Sequence, residues 1–225
     1  MLKRLFQAIK SQGVMAEVEE KTRKMFALAK SQFTASTRAL LEQKEPEFDL
    51  YAQDREINRM VVEIRKRLVE HFSVAGQDVG TGLVLLKVIN DIERVGDYTK
   101  NLLDLFQMIK KPLPENPYCL KLKELFPKIE GFFEKAESAI FDGNQEYARH
   151  VMEGANQVNQ VCKESLREML KDEGICGSDA IACALASRYF RRVAGHLKNV
   201  ASAAVNPYTH IGYMQIKEAE FKDDD

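Results

Sequence analysis

The sequence predicts an all-α protein, two tandem three-helix bundles related by an internal repeat. Three observations predict it. The chain holds 12 glycines and 6 prolines in 225 residues, well below average usage, so long stretches run without a helix-breaking residue. Apolar residues recur at threes and fours along six such stretches, each bounded by a turn that carries Gly or Pro. Finally, ERVGDYTKN at 93–101 in the third stretch returns in the sixth as RRVAGHLKN at 191–199, with Arg, Val, Lys and Asn in register. Each half then buries against its neighbours a face that it cannot bury alone.

The first helix is expected over 14–44, where Val18, Met25, Leu28, Ala29, Phe33, Leu40 and Leu41 carry the rhythm. Pro46 interrupts it and suits the first turn of the next helix. That second helix runs to Phe72 through Leu50, Ile57, Val61, Ile64 and Leu68, and SVAGQDVGTG at 73–82 reads as the turn. A third helix is expected over 81–110, with Leu85, Val88, Ile89, Ile92, Val95, Leu102, Leu105, Phe106 and Ile109 inward. KKPLPENPY at 110–118 is the clearest boundary, because a helix does not readily cross three closely spaced prolines. Beyond it come a helix over 118–141 with a bend at Pro127, a DGN turn at 142–144 and a helix over 145–171. After the turn EGICGS, the sixth helix is expected over 179–205, stopped by Asn206-Pro207. The expected organisation is a basic N-terminal segment (1–13), a first repeat (14–111), a Pro-rich linker (112–117), a second repeat (118–206) and a polar tail (207–225).

Composition excludes several classes of function. Lys+Arg 33 against Asp+Glu 34 gives a net charge of -1, which argues against a nucleic-acid partner. A chain that is 45% hydrophobic and 30% charged is not disordered throughout. No uncharged apolar run is long enough to span a membrane, and MLKRLFQAIKSQG lacks a signal-peptide core. A cytoplasmic location is expected. Cys119, Cys162, Cys176 and Cys183 form no C-x-x-C pair and have no His at zinc-ligand spacing, so scattered reduced thiols are expected. Leu2, Leu5, Phe6 and Ile9 share one helical face among Lys3, Arg4 and Lys10. Such a short basic amphipathic segment suits an anionic membrane surface, a partner protein or packing on the bundle itself.

Glu93 and Asp97 stand four apart on the third helix, and Asp54 and Asn58 four apart on the second. Antiparallel packing can bring the two pairs opposite each other. An oxygen-rich set of this kind suits magnesium, manganese, calcium or iron, although carboxylates at this spacing are also ordinary on a solvated helix face. Gly96 beside Asp97 points to a close helix approach or to ligand access. In the second copy Arg191 replaces Glu93 and Gly195 replaces Asp97. The cluster Arg188, Arg191, Arg192 and Lys198 is suited to a phosphate, an acidic partner surface or plain solvation. Arg94 is expected to pair with Asp91 or a neighbouring helix, and His150 and His196 are read as packing or surface residues. H-E-x-x-H, P-loop, G-x-G-x-x-G and G-x-S-x-G patterns are absent, and no enzymatic chemistry is expected.

NDIERVGDYTKN at 90–101 closely resembles the third helix of the PhoU family of phosphate-uptake regulators, at Asn90, Asp91, Glu93, Arg94, Gly96, Asp97 and Asn101. DREIN at 54–58 is similar to the family's acidic second-helix motif, Asp78 falls in its expected turn, and SRYFRRVAGHLKNVA at 187–201 is similar to its second copy. The resemblance implies a non-enzymatic, dimeric helical adapter between a membrane phosphate transporter and a sensor histidine kinase, at the cytoplasmic face of the membrane. It also implies an iron, zinc or manganese site at Asp54, Asn58, Glu93 and Asp97, where Asn58 departs from the family's acid. The second-half equivalents look like Ala155, Asn159, Arg191 and Gly195, and no metal is expected there. The alternative function is that of a metal–carboxylate helical protein whose role depends on the first-half site.

Overall fold

The computed structural model describes residues 13–75, 79–109, 111–175, 177–206 and 208–213. The segment carrying Leu2, Leu5, Phe6 and Ile9, the turn around Asp78, Cys176 and the tail from 214 lie outside these residues. The described residues form six long helices: α1 Gly13–Glu42, α2 Leu50–Ala75, α3 Val79–Ile109, α4 Pro117–Phe141, α5 Gln145–Met169 and α6 Gly177–Ser202. A 3-10 turn follows at Tyr208–His210. The helices of each trio, α1–α3 and α4–α6, pack on one another, and the trios join along α3 against α6 and α1 against α4. The outer helices α2 and α5 touch only their own trio among the principal packings.

Local chemistry sets the helix ends. Gln43 takes a left-handed φ of 55° directly after α1. α2 starts at Leu50 rather than near Pro46, because the Asp49 carboxylate accepts from the Ala52 N–H at 3.0 Å and acts as the cap. Asn116 accepts from Cys119 N ahead of Pro117, and Asn144 from Tyr147 N after Gly143 at φ 69°. The turn read at 73–82 is shorter than expected, since α2 continues to Ala75 and α3 begins at Val79. Gly82 is therefore helical, and any Cβ there would strike the Phe72 ring. α4 runs on through Pro127, which lies on the exposed face, where water can satisfy the carbonyl that proline leaves without a donor. α6 ends at Ser202, and Asn206 Nδ2 then donates to the His210 and Tyr213 carbonyls, so the start of the expected tail is tied back to the bundle.

One contiguous apolar core draws on all six helices. Phe33 of α1 sits at its centre, with ring centroids 5.9 Å from Phe126, 5.6 Å from Phe133 and 5.7 Å from Phe190, all three in the second trio. Alongside it, Arg23 Nη1 to Glu137 at 3.1 Å, Lys30 to Glu134 at 2.5 Å and Thr34 to Glu130 at 2.6 Å are successive rungs between antiparallel α1 and α4. Such partly exposed pairs add little each and mainly fix the register. The thiols are less scattered than the sequence suggests. Cys119 and Cys183 meet at 2.7 Å where α4 and α6 begin, while Cys162 lies alone on α5, its thiol pushed up to about 11 by burial.

Phe33→Ala is expected to cost about 3–5 kcal/mol by removing the ring that both trios enclose. Urea titration followed by circular dichroism should show an earlier, still single transition. Two separated transitions, or a shift worth under about 1 kcal/mol, would contradict a shared core.

Candidate functional site

Each trio presents one charged cleft between its second and third helices. In the first trio the cleft has a volume of about 500 Å³ and is lined by Tyr51, Asp54, Arg94, Asp97, Lys100 and Asp104, among others. Antiparallel α2 and α3 bring Asp54, Asn58, Glu93 and Asp97 to one region, as their spacing predicts. The contacts among them are those of an ion-pair network. Lys100 Nζ lies 2.8 Å from Asp54 Oδ2 and 3.2 Å from Asp97 Oδ1, so its ammonium occupies the space between the two carboxylates. Asn58 turns its amide nitrogen to Asp54 Oδ2 at 3.2 Å. Arg94 pairs with Asp97 at 3.3 Å and approaches Glu93 at 3.7 Å.

The electrostatics follow from this arrangement. Burial opposes the charge on Lys100, but its hydrogen bonds to Asp54 and Asp97 outweigh that and hold its pKa above the ordinary value. Burial, helped by the Asp97 charge, pushes the half-buried Glu93 up. Asp54 Oδ1 has no hydrogen-bond partner and faces Gly96, where a Cβ would stand 3.4 Å from that oxygen and 3.5 Å from Gln32 Oε1. Gly96 thus marks a close approach between helices. These residues do not fit an oxygen-ligated metal cluster. Lysine takes the bridging position, Asn58 turns its amide nitrogen to Asp54 where an acid would add a charged ligand, and among the described residues no group of three or more His, Cys, Asp or Glu is arranged to hold a metal ion.

Asp91 does not pair with Arg94. It is 1% exposed and faces α6, where Oδ1 accepts from His196 Nδ1 at 2.7 Å and from Asn199 Nδ2 at 3.0 Å, with Lys87 Nζ 2.8 Å from Oδ2. Burial raises its pKa, but those three contacts together outweigh it and hold the carboxyl below its usual range. Tyr98, one turn past Arg94, stacks on His196 with ring centroids 5.6 Å apart and accepts a hydrogen bond from Arg192 Nε at 2.9 Å. Sequence reading missed His196 and Asn199, because partners 105 and 108 residues away leave no local signal. It also missed Lys100, whose signal was present: a cation three residues after Asp97 in the motif.

In the second trio a cleft of about 420 Å³ opens between α5 and α6. Arg191, Arg192 and Lys198 line it, joined by Lys163 of α5, while Arg188 is exposed and stands off it. At the far end of α2 and α3 an apolar groove of about 650 Å³ runs between Leu68, Val69, Phe72, Leu83 and Leu86.

A duplicated six-helix bundle with one charged cleft per repeat, bound together along its two motif helices, is the class of protein these features define. The PhoU domain matches residues 22–106 and again 122–204, one copy in each trio. The chain belongs to the PhoU family, and membership points to regulation of phosphate uptake. The fold is also that of the crystal structure of PhoU from Pseudomonas aeruginosa, with a TM-score of 0.75 at 17% sequence identity over 85% of this chain and 95% of that one. No curated protein matches the chain in sequence.

Asp91→Ala is expected to cost about 1–3 kcal/mol in urea titration at neutral pH, because it leaves His196 and Asn199 without their shared acceptor at the α3–α6 seam; a cost under about 0.5 kcal/mol would show that the seam does not depend on it. Elemental analysis of protein grown with iron, zinc and manganese should find well under one metal per chain, unchanged in Glu93→Ala/Asp97→Ala. Stoichiometric metal lost in that variant would restore the metal site.

Proposed function

We propose that the chain is a non-enzymatic regulator of phosphate uptake that presents helix faces to a membrane phosphate transporter, a sensor histidine kinase, or both. The observation that carries this reading is the PhoU domain in both repeats. The first-half cleft supports it chemically. Asp54, Asp97, Lys100 and Arg94 neutralise one another at a solvent-facing surface, an arrangement suited to recognising a complementary surface rather than to activating a nucleophile. No helix among the described residues is long and apolar enough to cross a membrane. On this reading the protein meets its partners from the cytoplasmic side, as a homodimer at the membrane periphery. The alternative, a role that depends on metal held by Asp54, Glu93 and Asp97, is opposed by the Lys100 ammonium lying between two of those carboxylates.

Deleting the gene is expected to raise uptake of radiolabelled phosphate at high external phosphate, and to leave the phosphate-starvation response switched on. Unchanged uptake together with unchanged starvation signalling would remove the proposal.

A further inference from the structure

The two clefts are repeat equivalents with opposite chemistry. Arg94, Asp97, Tyr98, Lys100 and Asn101 line the first, and at the repeat spacing Arg192, Gly195, His196, Lys198 and Asn199 line the second. The three carboxylates of the first half have no acidic successor, since Ala155 stands for Asp54, Arg191 for Glu93 and Gly195 for Asp97. Space is left where the Asp97 side chain would project, because a Cβ on Gly195 would meet nothing within 4 Å. Lys163 adds a further cation from α5.

What the cations face differs as well. Lys100 is clasped by two carboxylates, whereas its counterpart Lys198 reaches only the neutral Asn156 Oδ1 at 3.1 Å. Among the described residues, Lys163, Arg191, Arg192 and Lys198 form no ion pair. Burial accordingly pulls the Lys198 ammonium below its ordinary pKa, opposite in direction to Lys100. No acid lines this cleft among the described residues, and Asp91, hydrogen-bonded to the lining residues His196 and Asn199, is itself paired with Lys87. Arg192 is held in place from the first trio, donating from Nε to the Tyr98 hydroxyl with its guanidinium 5.4 Å from the ring centroid. An arginine fixed through Nε keeps its two terminal nitrogens for a ligand.

We propose that the α5–α6 cleft is an oxyanion site that takes a phosphate group, with Arg191, Arg192, Lys198 and Lys163 supplying the charge and Asn159 a neutral donor. Concave cations with no counter-charge are costly to hold together, and a tetrahedral dianion relieves that cost while matching the fork of a guanidinium. A cleft of this volume admits free phosphate or a phosphate ester such as a lipid headgroup, and binding here is independent of how the chain acts on uptake.

Calorimetric titration of the purified full-length protein with inorganic phosphate, beside co-sedimentation with phosphatidic-acid vesicles, separates the two sources. Saturable, salt-sensitive binding of inorganic phosphate, weakened at least tenfold in Arg191→Gln/Lys198→Gln and unchanged in Arg188→Gln, is the expected result. Binding to the vesicles alone, lost in the same double variant, would also support the site and assign a lipid headgroup. No binding to either probe at millimolar phosphate, or binding equal in wild type and a double variant whose circular dichroism is unaltered, would overturn it. Because these readings come from purified protein, a null result here is distinguishable from a null result for uptake in cells.

Discussion

Phe33 belongs to the first repeat by sequence and to the second by packing. Its ring is enclosed by Phe126, Phe133 and Phe190, all from α4 and α6, so the first trio is completed only when the second is folded against it. A buried aromatic ring contributes on the order of 2–3 kcal/mol through the water it sheds, and here that contribution exists only across the join. The α1–α4 rungs and the Asp91–His196 contact are arranged around the same join. They place α3 and α6 side by side in the middle of the molecule, and with them the two clefts.

Much of this is legible in the sequence because helices declare themselves through periodicity, and two copies of one pattern declare a shared architecture. The inward faces predicted for the second and third helices are those found buried, from Ile57 to Leu68 and from Leu85 to Leu105. Helix ends are less legible. Pro46 is a permissive start signal, yet the Asp49 carboxylate three residues further on captures the Ala52 N–H and sets the start there. Gly82 reads as a turn residue, yet it serves a ring of the preceding helix. The candidate site was legible as a list of residues but not as a chemistry. Counting carboxylates leaves out Lys100, and it is the lysine that decides what the carboxylates do. Partners joined across the repeats, such as Asp91 with His196, follow from the packing of α3 on α6 and have no counterpart in local sequence.

The two repeats keep one scaffold and have exchanged its electrostatic content. Backbone geometry fixes where lining positions fall, while the side chains at those positions set the sign of the potential. At the repeat spacing Arg94, Tyr98, Lys100 and Asn101 of the first cleft meet Arg192, His196, Lys198 and Asn199 of the second, while Glu93 and Asp97 meet Arg191 and Gly195. A fold of this kind tolerates such exchange because the clefts open to solvent and the core beneath them is apolar. The lysine common to both, Lys100 and Lys198, therefore finds itself a clasped counter-ion in one half and a half-buried cation with a neutral partner in the other.

The single core also governs how the molecule can move. A hinge at the proline-rich connection would have to pull Phe33 out of its aromatic enclosure and expose the α3–α6 seam, so large rotations of one trio against the other belong with unfolding, not with rapid native fluctuation. The two trios are therefore one mechanical unit, and the proline-rich connection between them is a tether across a closed seam and not a joint.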